Sequence, residues 1–100
     1  MAWIRDQKGT FTPSAGLASV TIRLNDCLLK QIAIDSTTSS TTFDVKITNS
    51  RSIDVYDVDD FTGYALETVD IPLSGNATLT IDNASVDEVF TYYVSCLDKI

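Results

Sequence analysis

Residues 41–56 read TTFDVKITNSRSIDVY, and this stretch decides the fold class. In its first half, Phe43, Val45 and Ile47 alternate with polar residues. A period of two places apolar side chains on one face of a β-strand. The next four residues, NSRS (49–52), have the length and composition of a hairpin turn. The stretch is therefore predicted to be an antiparallel hairpin with one core face, which makes it scaffold and not a site.

The return strand of this hairpin reads IDVYDVDD (53–60). Alternation predicts that Ile53, Val55 and Asp57 share one face of the strand, and that the intervening residues share the other.

Further segments with the same alternation are predicted to be strands: 20–24, 28–35, 65–73, 77–82 and 89–97. Turn residues such as Gly, Asn, Asp and Ser separate them at intervals of roughly eight to twelve residues. About seven short strands with this spacing are typical of an all-β fold, an antiparallel β-sandwich or barrel.

Three of these segments carry additional signals. The apolar spacing in 24–33 also fits a short helix, but a strand is preferred because the polar loop that follows has no helix-capping glycine. Pro72 cannot donate a ladder hydrogen bond, so 65–73 is predicted to be an edge strand or to end there. Segment 89–97 has apolar residues on both faces, which predicts a central strand covered on both sides.

Residues 1–16 are predicted to form an extended N-terminal arm, and residues 17–100 a single β-sandwich domain. Gly and Pro punctuate the arm, and Trp3, Ile4 and Phe11 are its bulky apolar residues. Because Trp is enriched at interfaces, one hypothesis is that the arm docks on a neighbouring molecule. The alternative is a first edge strand with a capping Trp, and both remain open from the sequence.

The net charge of −7 and the pI of about 4.1 limit the partners of the chain. A surface of this charge repels phosphate backbones and anionic lipids, which argues against binding to nucleic acid or membranes. No transmembrane-length apolar stretch and no signal-peptide core are present in the sequence. We therefore expect a soluble product of cytoplasmic synthesis.

The two cysteines, Cys27 and Cys96, are expected to be reduced and to pack within strands. A disulfide would require their strands to lie side by side, and the expected compartment argues against one.

The chain contains no histidine, which removes histidine-based catalytic triads and imidazole metal sites. The acidic residues of the return strand are Asp54, Asp57, Asp59 and Asp60, and they have two interpretations. They could supply oxygen ligands to a cation such as Ca²⁺, or they could form a solvated turn that keeps a strand edge soluble. The second interpretation is preferred. We predict a protein that is not an enzyme, with no metal site and no cofactor.

Aromatic and apolar residues supply the candidate interface, namely Trp3, Ile4, Phe11, Tyr56, Tyr64 and Tyr93.

Residues 40–97 resemble small virion proteins of tailed bacteriophages. The family pattern is a YDVxIxD-type strand, a turn, a short xDVL or xDVY strand, a Gly-containing loop and an xGxLTLxxxNA segment. The matching residues are FDVKIT (43–48), IDVY (53–56), Gly63, SGNATLTI (74–81) and Asn83-Ala84. The acidic DVDD segment departs from the usual Gly-rich loop, and the resemblance carries over no functional residue.

Charge, size and resemblance together lead to a functional hypothesis. The chain is expected to be a capsid decoration, or cement, protein on the outer surface of a virion. It would bind the major capsid protein shell and self-associate, with a homotrimer as the expected assembly. The alternatives are a neck, tail or fibre-attachment component, and a carbohydrate- or cell-binding module that uses the tyrosines.

Overall fold

The computed structural model describes residues 4–23 and 26–98, and eight β-strands account for most of them. The strands are β1 (Ile4–Phe11), β2 (Ala18–Ile22), β3 (Cys27–Ser36), β4 (Thr42–Thr48), β5 (Asp54–Thr62), β6 (Tyr64–Leu73), β7 (Ala77–Asp82) and β8 (Phe90–Asp98). Within the described ranges, no helix is long and apolar enough to cross a membrane.

The strands form two antiparallel four-stranded sheets that pack face to face as a β-sandwich. The first sheet has the order β1-β8-β3-β6, and the second has the order β5-β4-β7-β2. The two sheets meet at one paired position, Thr62 with Tyr64. The predicted all-β fold is confirmed, with eight strands in place of about seven.

The turn that joins the two sheets requires a glycine. Gly63 has a φ of +77°, and a Cβ at this position would lie 2.6 Å from the carbonyl oxygen of Ser39. Its amide donates to the Thr41 carbonyl oxygen at 2.7 Å, and its carbonyl accepts from the Ser36 amide at 3.0 Å. The chain can therefore leave the second sheet and enter the first within one residue.

Segment 28–35 is a strand and not a helix. In β3 the buried residues Leu29, Ile32 and Ile34 face the core, and β3 pairs with β6 on one side and β8 on the other. A register shift between Leu29 and Gln31 interrupts the alternation, which is why part of the spacing imitated a helix. The predicted strand 20–24 is observed as β2, and Leu24 lies outside the described residues.

Of the two interpretations of the N-terminal segment, the structure shows an edge strand over residues 4–11. β1 pairs with β8 from Ile4 opposite Leu97 to Phe11 opposite Phe90. The segment IRDQKGTF has little apolar alternation, so its pairing with β8 makes it a strand. Trp3 lies outside the described residues.

The β4–β5 hairpin forms as predicted, but the faces of β5 differ from the prediction. Ile53 is 56% exposed, and Tyr56 pairs with the buried Ile47. Asp57 lies opposite Lys46, on the solvent side. The reason is that β5 has two register shifts against β4, and each added residue reverses the side that the following residues face.

The turn of this hairpin is held by Asn49. Its side-chain oxygen accepts hydrogen bonds from the amides of Arg51 and Ile53, at 2.9 and 3.0 Å. The backbone amide of Asn49 donates to the Ile53 carbonyl at 2.9 Å. This is an Asx-type turn, which explains why the NSRS signal was reliable.

The two positional predictions for β6 and β8 have different outcomes. β6, which contains Pro72, is one of the two edge strands of the first sheet, and this was one of the two predicted alternatives. β8 is central, between β1 and β3, but its outer face is not covered, since Tyr93 is 43% exposed. The apolar residues on that face belong to the surface described below.

The core lies between the two sheets and contains an aromatic cluster. Phe43 and Phe90 are both fully buried, with ring centroids 5.1 Å apart in a T-shaped arrangement. The other large buried aliphatic residues surround them: Ile22, Leu29, Ile32, Ile34, Val45, Ile47, Leu79, Ile81 and Val94. Both sheets contribute, so neither can bury its apolar face without the other.

The expectation of two reduced cysteines is wrong in this structure. Cys27 and Cys96 form a disulfide, with their Cα atoms 5.7 Å apart and both residues fully buried. They belong to β3 and β8, which are neighbours in the first sheet. The 69-residue separation in sequence gave no indication of this adjacency.

The Glu88 carboxylate connects two loops through hydrogen bonds at the end of the sandwich where Thr41 is buried. Glu88 Oε1 accepts a hydrogen bond from Thr41 Oγ1 at 2.7 Å and one from the Thr38 amide at 3.1 Å. Glu88 Oε2 accepts from Thr38 Oγ1 at 2.8 Å. These hydrogen bonds, that from Thr41 first, hold the pKa of the Glu88 carboxyl below its ordinary value of 4.5.

We expect Glu88→Gln to lower stability at pH 7 and to lose that effect in acid. A lowered pKa in the folded state means that the stabilisation is complete above the unfolded value of 4.5. It is lost as the pH falls through the lowered folded pKa, where the wild-type carboxyl is protonated too. Urea unfolding midpoints at pH 7, 4.5 and 3 test this, with Asp6→Asn as an exposed-charge control. Parallel pH profiles for wild type and Glu88→Gln would contradict it.

Candidate binding surfaces

The outer face of the first sheet carries exposed apolar side chains that lie side by side. Tyr93 on β8 pairs with Ala33 on β3, and Ala33 pairs with Leu66 on β6. In the next row, Asp35 pairs with Tyr64. We call these five residues the tyrosine face. Tyr64 is 65% exposed and Leu66 is 58% exposed, which is unusual for large apolar neighbours on a sheet.

A shallow groove of about 260 Å³ runs along the tyrosine face. Its lining includes Ala33, Asp35, Tyr64, Leu66 and Tyr93. The ammonium group of Lys8 lies 5.2 Å from the centroid of the Tyr93 ring, which favours one orientation of that ring. The groove therefore combines apolar and aromatic side chains with one carboxylate.

A second shallow groove of about 480 Å³ on this outer face is lined by Lys30, Gln31, Thr68, Ser95 and Leu97. Lys30 also forms an ion pair with Asp70. On the described strands of the first sheet, the large apolar side chains that are exposed are Tyr64, Leu66 and Tyr93.

The outer face of the second sheet has the opposite character, because it is acidic. Asp57 and Asp59 of β5 lie beside Asp44 of β4 and Asp82 of β7, with Lys46 among them. The nearby carboxylate of Asp44, then desolvation and the carboxylates of Asp57 and Asp60, raise the pKa of the Asp59 carboxyl above its ordinary value. We call Asp44, Asp57, Asp59 and Asp82 the acidic face.

The structure gives different surroundings to the four aspartates of the predicted cation alternative. Asp57 and Asp59 share the acidic face, whereas Asp54 accepts a hydrogen bond from the Thr48 hydroxyl at 3.1 Å. The amide of Asp60 donates to Asp44 Oδ1 at 2.9 Å, at a position with a φ of +67°. Among the described residues, no cluster of three or more acidic or cysteine side chains has a geometry that could hold a metal ion.

Two of the predicted interface residues face inward. Phe11 packs against Phe90 and Tyr92, with centroid distances of 6.0 and 5.7 Å. The hydroxyl of Tyr56 is buried and has no hydrogen-bond partner among the described residues. Burial, assisted by the Glu67 carboxylate, raises the pKa of Tyr56 to about 12.

The other predicted interface residues divide between the surface and the N-terminus. Tyr64 and Tyr93 meet on the tyrosine face, although 29 positions separate them in sequence (93 − 64). Trp3 is outside the described residues, and Ile4 is described only through its pairing in β1. Leu66 was missed by the sequence analysis, because alternation shows only that it lies opposite Glu67 and Val69, not which face is solvent-exposed.

Comparisons with known proteins support the fold alone. No family model and no curated protein matches this chain. Part of dimeric latent PorU from Porphyromonas gingivalis is similar, with a TM-score of 0.54 and 11% identity. The match covers 96% of this chain but only 13% of that one, so the chain spans a small part of PorU's length. At this identity the likeness defines a class, the β-sandwich domain, and no activity.

Two other solved structures match this chain with lower TM-scores. A carbohydrate-binding module, CBM36, in complex with calcium and xylotriose has a TM-score of 0.38 and 18% identity, over 89% of this chain and 76% of that one. The structure of infectious bursal disease virus, Gt strain, has a TM-score of 0.43 and 9% identity, over 98% of this chain and 32% of that one.

Proposed function

We propose that this chain is a non-enzymatic structural protein of a tailed-bacteriophage virion, and specifically a capsid decoration protein. The observation that carries the proposal is the tyrosine face, where Tyr64, Leu66 and Tyr93 expose apolar surface on paired strands of one sheet. Exposed apolar neighbours of this kind mark surfaces that bind another protein. The proposed partner is the assembled major capsid protein shell.

The sequence resemblance and the charge distribution support this proposal. The residues that resemble small virion proteins, 40–97, include β4 to β8 and therefore two strands that carry the tyrosine face. The acidic face lies on the other sheet, so the two outer surfaces differ in chemistry. A decoration protein needs such a difference, because one side contacts the shell and the other faces solvent.

The proposed mechanism is stabilisation by mass action. A protein that binds the assembled shell but not its free subunits shifts the equilibrium toward the shell. Association into trimers at threefold positions of the shell would let each assembly bind several subunits at once and increase the avidity. The place of action is then the outer capsid surface.

We expect the double substitution Leu66→Ser and Tyr93→Ser to weaken shell binding by at least about tenfold without unfolding the domain. Both side chains are more than 40% exposed, so their loss opens no core cavity. A matched control is Ile53→Ser with Val86→Ser, which removes exposed apolar groups outside the tyrosine face. Co-sedimentation with shells that lack the protein measures the affinity. Equal loss for both double variants would contradict a binding role of this face.

Quantitative mass spectrometry of purified virions tests the location. Copy numbers close to that of the major capsid protein would support shell decoration. A trace amount would favour the neck, tail or fibre-attachment alternative, and absence from virions would count against the virion proposal.

A carbohydrate-binding role is the second candidate, because of one specific observation. The groove between Tyr64 and Tyr93 has apolar aromatic walls on which a sugar ring could stack, and Asp35 could accept hydrogen bonds from sugar hydroxyls. A glycan titration followed by NMR separates the two functions. Shifts confined to the groove, and lost in Tyr93→Ser, would favour this second candidate.

A further inference from the structure

Among residues 4–23 and 26–98, no strand lies beside the outer edge of β5 over most of its length. β5 spans Asp54–Thr62 and pairs with β4 on its inner side. On its other side the described residues pair at Thr62 with Tyr64 alone, after which β5 and β6 diverge into different sheets. An edge of this kind presents backbone donors and acceptors that a further strand could use.

The negative charge near this edge disfavours pairing with an acidic strand. Between residues 52 and 76 the sequence has six acidic residues and neither Lys nor Arg. The acids are Asp54, Asp57, Asp59, Asp60, Glu67 and Asp70. Pairing of β5 with β5 of a second copy would bring four aspartates against four others, which is electrostatically unfavourable. The same charges would attract a cationic strand.

Two more features favour an added strand at this edge. Val58 is 37% exposed on β5, so an added strand would cover apolar surface. Asp57 and Asp59, two residues apart, lie together on the outer face of the sheet. A partner strand with cations at every second position would match that spacing.

We propose that the free edge of β5 binds an extended, Lys- or Arg-rich segment of another protein as an additional β-strand. Backbone hydrogen bonds along β5 would provide affinity, and ion pairs with Asp57 and Asp59 would provide selectivity. This site is on the second sheet and is independent of shell binding through the tyrosine face. Its failure would therefore leave the proposed function untouched, and the reverse also holds.

The test uses the full chain, labelled with ¹⁵N, and a capped synthetic nonapeptide of alternating Thr and Lys. We expect the largest amide shifts within 54–61 and an affinity that falls as salt rises. The same peptide with alternate backbone nitrogens methylated should bind at least about tenfold more weakly, because it cannot donate along one edge. A Thr-Ser peptide without lysine should bind more weakly to a similar degree.

Matched variants locate the charge contribution. Asp57→Asn with Asp59→Asn should weaken peptide binding at least about tenfold, whereas Asp6→Asn with Asp26→Asn removes equal charge at exposed positions outside β5 and should not. Unfolding midpoints confirm that both double variants are folded.

Four results would overturn the proposal. They are the absence of binding at millimolar peptide, equal binding of the methylated peptide, equal binding of the lysine-free peptide, and equal weakening by the two double variants. Sedimentation analysis adds a fifth: a wild-type dimer whose interface maps to β5 would show that a second copy occupies the edge.

Discussion

Phe90→Ala is expected to lower the free energy of unfolding by about 3–5 kcal/mol and to lower the urea midpoint strongly. Phe90 is fully buried, and its ring contacts those of Phe43 and Phe11 at centroid distances of 5.1 and 6.0 Å. Removal of a buried Phe side chain costs about 3–5 kcal/mol, because apolar contacts are lost and a cavity remains. A domain of this size is stable by about 5–10 kcal/mol, so the loss is a large part of the total.

Urea unfolding followed by circular dichroism measures this effect. Tyr64→Ala is the matched control, since it also truncates an aromatic residue but at a position that is 65% exposed. The control should change the free energy of unfolding by less than about 0.5 kcal/mol. A loss below about 1 kcal/mol for Phe90→Ala would mean that the aromatic cluster is not the centre of the core.

Reduction of the disulfide between Cys27 and Cys96 is expected to destabilise the fold by about 4 kcal/mol. The bond closes a loop across a sequence separation of 69 residues, and a long closed loop restricts the unfolded chain strongly. Both cysteines lie within paired strands, so backbone pairing also holds β3 beside β8. We therefore expect the reduced protein to fold, with a much lower unfolding midpoint.

The measurement compares urea midpoints of the wild type with and without a reductant. The double variant Cys27→Ala and Cys96→Ala is the control, because it should behave like the reduced wild type apart from the missing sulfur volume and should not respond to the reductant. Coincident transitions for the oxidised and reduced wild type would contradict a stabilising role for the bond.

The two proposed surfaces use different sheets of the sandwich. The tyrosine face belongs to β3, β6 and β8, and the proposed strand-binding site is the free edge of β5. The β5–β6 turn at Gly63 connects these strands, so the hairpin of residues 54–73 contributes to both surfaces. One chain could therefore contact a shell through one sheet and a cationic segment through the other.

Local alternation was sufficient for most of the strands and for their buried faces. In β4, β7 and β8 the apolar residues recur at every second position, and these residues are buried between the sheets. The edge position of β6 was one of two alternatives that the sequence left open, since the missing amide of Pro72 is a property of that residue itself. The absence of histidine, likewise a sequence property, removed the commonest catalytic arrangements.

Other features depended on which strands become neighbours, and the sequence by itself could not supply them. β1 is a strand because β8 pairs with it, and the faces of β5 follow from two register shifts against β4. Cys27 meets Cys96, and Tyr93 meets Leu66 across Ala33, because β3 lies between β6 and β8. Alternation relates residues two positions apart in the chain, whereas strand pairing joins residues that are far apart in the chain. The sequence alone therefore determined the class of fold and most of its core, and the tertiary structure decided which side chains form a surface.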